Sequence, residues 1–167
     1  MIHIVGIDPG LAHTGWGVIH CSARRLYHVS HGTITTEAET DPALRVLKIH
    51  NSLREILSEH KPQLVGIETL YFAKNRRSAI PVAEARGAVL VAVAESGAQC
   101  TSYTPLEIKQ ALTGNGRAEK NQVQEMVRIM LGLQEVPTSD HAADALAAAI
   151  CAFHMYQFSN AMSGGRV

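Results

Sequence analysis

A chain of 167 residues that is 46% hydrophobic can bury a real core in one domain, which excludes an intrinsically disordered chain. Its 15 Lys and Arg balance 15 Asp and Glu, so overall charge draws it neither to nucleic acid nor to a membrane, and any such binding must come from a local basic patch. Cys21, Cys100 and Cys151 are odd in number, far apart and without CxxC spacing, which argues against a disulfide framework and a zinc site and fits a reducing cytoplasm.

The residues from Met1 to Asp8 lack the basic and apolar regions of a signal peptide, and the apolar run from Ala88 to Ala94 is too short to span a bilayer, so a soluble protein is expected. Ile2 to Ile7 is short, apolar and β-branched and runs into Asp8-Pro-Gly10, the pattern of a buried strand ending at Asp8. Gly15 to His20 and Leu26 to Thr35 are β-prone runs separated by the turn-like Cys21 to Arg25, predicting an antiparallel meander. Asp41-Pro42 supplies an N-cap and a first-turn proline for an amphipathic helix through Leu44, Leu47, Leu53, Ile56 and Leu57 that stops near His60 to Pro62.

Gln63 to Glu68 repeats the buried-strand signature, and its arrival through a helix predicts a crossover and parallel pairing with the first strand, which sets Glu68 at the same sheet edge as Asp8. A long helix is expected from about Ser78 to Ser96, with Pro81 in its first turn and Gly97 as its stop. Cys100 to Tyr103 forms a fifth strand, and Thr104-Pro-Leu-Glu107 is a capping box opening a helix that ends at Gly114 to Gly116. Two further helices, roughly Glu119 to Leu131 and Ser139 to Tyr156, complete an α/β order with a five-stranded mixed sheet flanked by helices. No repeat or linker is visible, so residues 1–158 read as one domain, and the small, polar residues 159–167 as a tail that frays.

Only four aspartates occur, and Asp41 is explained as a cap. Asp8 is either a turn former before Pro-Gly or a functional acid. Glu68 ends an apolar run, where a buried carboxylate is costly unless paired or holding a cation. Asp144 sits in Asp140 to Ile150, a segment otherwise small and apolar all round, so its polar residues must face a site or a surface. His141 and Asp144 are i, i+3 neighbours and Asp140 and Asp144 are i, i+4 neighbours, so either pair can present ligands on one face. Asp140 and His141 also read as first-turn residues after a Ser139 cap, and for Asp140 that is the better reading.

Two carboxylates at adjacent parallel strand ends, with a helix delivering Asp and His, would make an oxygen-rich site for Mg2+ or Mn2+. A pair of such ions about 4 Å apart is suited to in-line phosphodiester hydrolysis. A matching basic surface is offered by Lys74, Arg76, Arg77 and Arg86 after Glu68, and by Lys109, Arg117 and Lys120 around the glycine loop. Tyr71 to Arg77 mixes aromatics with cations, a combination suited to base stacking and phosphate contacts.

Four segments carry a family resemblance from Ile4 to about His154. They are Gly6 to Leu11 with Thr14 to Val18; Ile67-Glu68 with Ala73-Lys-Asn75 and Ala85-Arg-Gly87; Lys109-Gln110 through Gly116 with Ala118-Glu-Lys120 and Gln122-Val-Gln124; and Ala142 to Ala147. In their order and spacing they are similar to the RuvC-type Holliday junction resolvases. The resemblance implies an RNase H-like fold and a homodimer that nicks two strands of a four-way DNA junction symmetrically, during recombination and repair. It implies that Asp8, Glu68, His141 and Asp144 form the metal-binding catalytic set, with two Mg2+ or Mn2+ ions per site. Lys109 and Lys120 would assist at the scissile phosphate or bind DNA, and Tyr71 would stack on bases near the crossover. The helix from Ser78 to Ser96 would lie in or near the dimer interface. Implied partners are a junction-binding protein and a hexameric branch-migration motor, of the RuvA and RuvB type.

The sequence departs from the commonest pattern of that family at His141, where many relatives carry aspartate, and at Thr69, where glutamine is usual. Imidazole ligates Mn2+ well and Mg2+ poorly, so His141 leaves the preferred metal open, as it does a general-base role. A carboxylate supplied instead by Asp140 ranks third. Other readings are an RNase H-like enzyme acting on RNA, an actin-like ATPase and a silent junction-binding protein. The ATPase needs a second phosphate hairpin and a much longer chain, and no other Asp-x-Gly occurs here. The silent binder sits poorly with three intact acids.

Overall fold

A computed structural model of the chain describes residues 1–23, 25–69 and 76–163, with only the backbone described for Arg76, Arg77, Ser78 and Ser163. Three strands come first: β1 (Ile2–Asp8), β2 (His13–Ser22) and β3 (Arg25–Thr35). Helix α1 (Pro42–His60), strand β4 (Leu64–Glu68), helix α2 (Arg76–Ser96) and strand β5 (Gln99–Tyr103) follow, and α3 (Pro105–Thr113), α4 (Lys120–Leu131) and α5 (Asp140–Ser163) complete the chain. The sheet order is β3-β2-β1-β4-β5. β1 pairs antiparallel with β2 and parallel with β4, as the meander and the crossover through α1 require.

Strand alternation sorts the side chains onto two faces. Val5, Ile7, Val18, Val65 and Ile67 pack against Ile49, Leu53 and Leu57 of α1 and Ala85, Val89 and Val93 of α2. Ile4, Ile19 and Leu64 meet α3, α4 and α5 on the other side. The result is three layers with the sheet in the middle.

On the α5 face the side chains of two parallel strands run in step: Ile4, Gly6, Asp8 on β1 and Leu64, Gly66, Glu68 on β4, with Gly6 paired to Gly66. A Cβ on Gly6 would stand 1.8 Å from the Ala145 carbonyl oxygen, and one on Gly66 would stand 2.5 Å from that of Ala148. The missing side chains and the alanines of α5 let helix backbone lie directly on strand backbone. The small, all-round apolar character of Ala142 to Ile150 is thus the signature of a helix buried on the sheet.

Local signals operate as read. Asp41 accepts from the Ala43 and Leu44 N–H groups, Thr104 and Glu107 form a capping box, and Gly114 ends α3 in the left-handed conformation. Several boundaries differ. β2 spans His13–Ser22, wider than the expected Gly15 to His20, so Cys21 and Ser22 belong to the strand and not to the turn. α2 begins at Arg76, so Pro81 lies inside the helix rather than in its first turn. α5 runs to Ser163, well past Tyr156, since Asn160, Ala161 and Met162 carry no helix breaker. Cys21, Cys100 and Cys151 are free thiols, and no described helix is long and apolar enough to cross a membrane.

Candidate metal and DNA-cleavage site

Ile7 and Ile67 are register partners on parallel strands, so Asp8 and Glu68, the last residues of β1 and β4, end side by side on the α5 face. The close seating of α5 brings Asp144 to them. Asp8, Glu68 and Asp144 each offer a carboxylate oxygen, and these oxygens all lie within 4.8 Å of one another. Asp8 is only 6% exposed, so a buried acid at the end of a strand is more than a turn former.

The electrostatics are those of crowded like charges. Burial, reinforced by Asp8 and then by Asp144, pushes the Glu68 carboxyl up to about 8. Burial also raises Asp8 against the opposing influence of the His141 hydrogen bond. Three converging carboxylates, two reluctant to ionise together, are a hard-oxygen donor set whose charge a divalent cation would neutralise, so the residues present fit Mg2+ or Mn2+.

His141 is the second α5 residue at the site. Its Nδ1 lies 2.8 Å from Asp8 Oδ2, and its ring is stacked on that of His13 with centroids 5.5 Å apart. It stands outside the group of three carboxylates and touches that group through Asp8.

Asp140 takes the role its first-turn reading assigns. It is exposed, accepts from Gln124 Nε2 at 2.8 Å and pairs with Lys120 at 3.2 Å, and the Lys120 hydrogen bond holds its carboxyl below the usual range. The Lys120 ammonium also lies 3.1 Å from Asp144 Oδ2. Despite the cost of partial burial, these two acids raise its pKa and keep it charged. Lys109 and Lys120 line, with Glu68 and Asp144, a cleft of about 180 Å³ that Pro105, Ile108, Val123 and Ala147 also line. The carboxylates are thus bordered by two cations, one of which, Lys120, is in direct contact with Asp144.

The other expected DNA contacts divide. Tyr71 and Lys74 lie outside the described residues. Arg76 and Arg77 form the first turn of α2, with their side chains undescribed, and Arg117 is exposed in the loop between α3 and α4. The sequence reading passed over His13, which has no motif of its own and is recognisable only through its strand register. It also missed the link from Asp140 to Lys120, which crosses between two helices.

A mixed five-stranded sheet carrying acids at two parallel strand ends, met by an acid from the last helix, defines an RNase H-like enzyme of the metal-dependent nuclease kind. The chain belongs to the RuvC family: the family profile described as crossover junction endodeoxyribonuclease RuvC matches residues 4–152. A crossover junction endodeoxyribonuclease RuvC of Treponema denticola is 52% identical over 147 residues, covering 88% of this chain and 83% of that protein. The counterpart from Caldanaerobacter subterraneus is 41% identical over 165 residues, 99% of this chain and all of its own. Among solved structures, Thermus thermophilus RuvC in complex with Holliday junction substrate superposes with a TM-score of 0.91 at 36% identity, covering 95% of this chain and 97% of its own.

Proposed function

We propose that this protein resolves four-way DNA junctions by hydrolysing one phosphodiester in each of two strands, with Asp8, Glu68 and Asp144 as the metal-holding residues. The observation that carries the reading is the convergence of these three carboxylates within 4.8 Å, beside Lys109 and Lys120. The cations expected there, two Mg2+ or Mn2+ per site, would supply charge neutralisation for the phosphate and activation of the attacking water.

The chain's own residues set up that chemistry. Asp8 and Glu68 are fixed by strand register and Asp144 by close packing of α5, so little movement is needed to present them. His141 orients the Asp8 carboxylate through the 2.8 Å contact and serves as a further ligand or as a general base at the same edge. Lys120, held by Asp140, and Lys109 across the cleft would meet the negative charge of the scissile phosphate. Tyr71, Lys74, Arg76, Arg77 and Arg117 are proposed to contact the junction arms.

Symmetric nicking needs two sites, and a homodimer supplies them. Supporting it, Leu47 and Val91 of α1 and α2 are 51% and 52% exposed along one groove, and Leu44 and Ile80 of the same helices are 57% and 69% exposed. A second copy covering that face would remove this apolar surface from water. Junction-binding and branch-migration proteins of the RuvA and RuvB type are the proposed partners, and the cytoplasm the proposed location.

The deciding experiment presents a labelled four-way junction, a linear duplex and an RNA–DNA hybrid to the protein with Mn2+, Mg2+ or chelator. Paired nicks in the junction alone, lost in chelator, are expected. Cleavage of the hybrid with the junction untouched would move the function to RNA processing.

A further inference from the structure

His13 is exposed at the first position of β2, and nothing in its local sequence calls for an imidazole there. Its surroundings do. Gly15, two residues on, points from the same face of the strand. A Cβ at Gly15 would stand 1.9 Å from the His141 carbonyl oxygen, so the first turn of α5 rests on that face of β2. The neighbouring strand secures the same turn: Thr33 Oγ1 and Ser139 Oγ lie 2.7 Å apart, and Ser139 Oγ accepts from the Ala142 N–H at 3.3 Å. Backbone and cap of α5 are therefore both fixed by the ends of β2 and β3.

The His141 side chain is not fixed by those contacts. It is 43% exposed and its hydrogen bond runs to Asp8, and an imidazole so exposed has other rotamers open to it. The His13 ring lies against it at 5.5 Å between centroids and 28° between planes, a stacked arrangement. His13 is in turn tethered to its cross-strand partner Thr35, with Nδ1 3.4 Å from Thr35 Oγ1.

The geometry points to His13 as a positioning residue for the cleavage reaction: its ring holds the His141 imidazole in the orientation that sets Nδ1 on Asp8. His13 acts through the flat face of its ring, and its own side-chain hydrogen bond goes to Thr35. Losing the ring frees His141 to rotate away and leaves Asp8 without its orienting partner. This inference rests on the junction-cleavage reading only for its kinetic part.

The test compares His13→Ala, His13→Phe, His141→Ala and the double variant His13→Ala/His141→Ala. Two measurements are made: single-turnover cleavage of a four-way junction in Mn2+, and proton NMR of the His141 ring in metal-free protein. Expected for His13→Ala is a cleavage rate about 10-fold lower, junction affinity within two-fold of wild type, and His141 ring protons shifted toward solvent-exposed positions. His13→Phe keeps a stacking face and should recover to within about three-fold, with His141 still ring-shifted. The double variant should be no slower than His141→Ala alone. Three results would each overturn the inference: unmoved His141 resonances in His13→Ala, multiplicative defects in the double variant, or a Phe variant as slow as the Ala variant. Failure of the wild type to cut junctions would instead sink the functional reading, while the NMR comparison would still decide the role of His13.

Discussion

Asp8 and Glu68 stand one step beyond the Ile7–Ile67 register pair, on parallel strands in contact, and the Asp8 carboxylate helps to hold a proton on Glu68. Two acids at this separation do not ionise together without a counter-charge. The arrangement costs the metal-free protein stability and favours cation binding.

A pH dependence follows. Glu68 keeps its proton up to about pH 8 in the folded protein, against an ordinary value of 4.5. Between those limits the folded state binds more protons than the unfolded one, so folding stability is greatest below pH 4.5 and falls as pH rises toward 8 and the buried carboxyl must ionise. Thermal melts in chelator should show Tm falling between pH 5.5 and 8.5, and Glu68→Gln should flatten that fall. An unchanged slope in the variant would place the proton elsewhere. Below pH 8, cation binding should release protons and tighten with rising pH.

Asp8→Asn, Glu68→Gln and Asp144→Asn should each lower junction cleavage by about 10³-fold or more while leaving junction binding in Ca2+ or chelator within a few fold. These groups hold cations and do not form the DNA surface. Gel-shift titration beside a cleavage assay checks both halves, and normal cleavage by Asp8→Asn would reject the assignment.

Cutting should be markedly faster in Mn2+ than in Mg2+, because an imidazole at position 141 suits the softer ion. His141→Asp should raise the rate in Mg2+ relative to Mn2+. Equal wild-type rates in the two metals would count against His141 as a direct ligand and leave its contact with Asp8 as its main role.

Lys120→Ala should slow cleavage by about 100-fold yet move Tm by no more than about 2 °C, since its ion pairs with Asp140 and Asp144 are half exposed and screened. Asp140→Asn should slow cleavage far less, because Asp144 alone still holds the ammonium. A large stability loss in Lys120→Ala would make the residue a structural one.

Val91→Glu on the exposed groove of α1 and α2 should convert a dimer to a monomer in light scattering without altering the far-ultraviolet dichroism. A wild-type protein that is monomeric at micromolar concentration would reject the interface.

Much of this was legible in the residues. Asp8 and Glu68 could be paired because each ends an apolar β-branched run, and a helix between two such runs forces them parallel. Asp144 could be added because an acid in a helix that is otherwise small and apolar must face a site or a surface. Periodicity could not separate Asp140 from His141, because both share a helix face with Asp144; the fold separates them by giving Asp140 to Lys120 and His141 to Asp8. The stack of His13 on His141 joins residues far apart in the chain, a relation fixed only by tertiary packing. Likewise Gly6 and Gly66 read singly as weak points in strands, and only their pairing under α5 accounts for them.

The absent side chains at Gly6 and Gly66 also bear on how the protein comes apart. Helix α5 can settle only on a fully formed sheet, and a methyl group at Gly6 would meet the Ala145 carbonyl at 1.8 Å. Gly6→Ala should therefore cost about 3 kcal/mol, a drop of roughly 10 °C in melting temperature. The three acids ride on β1, β4 and α5, two strands of the sheet and the helix packed on them, so disarming them means parting α5 from the sheet. Amide hydrogens around Asp8, Glu68 and Asp144 should exchange only through whole-molecule unfolding, and the enzyme should lose its activity and its fold at the same denaturant concentration.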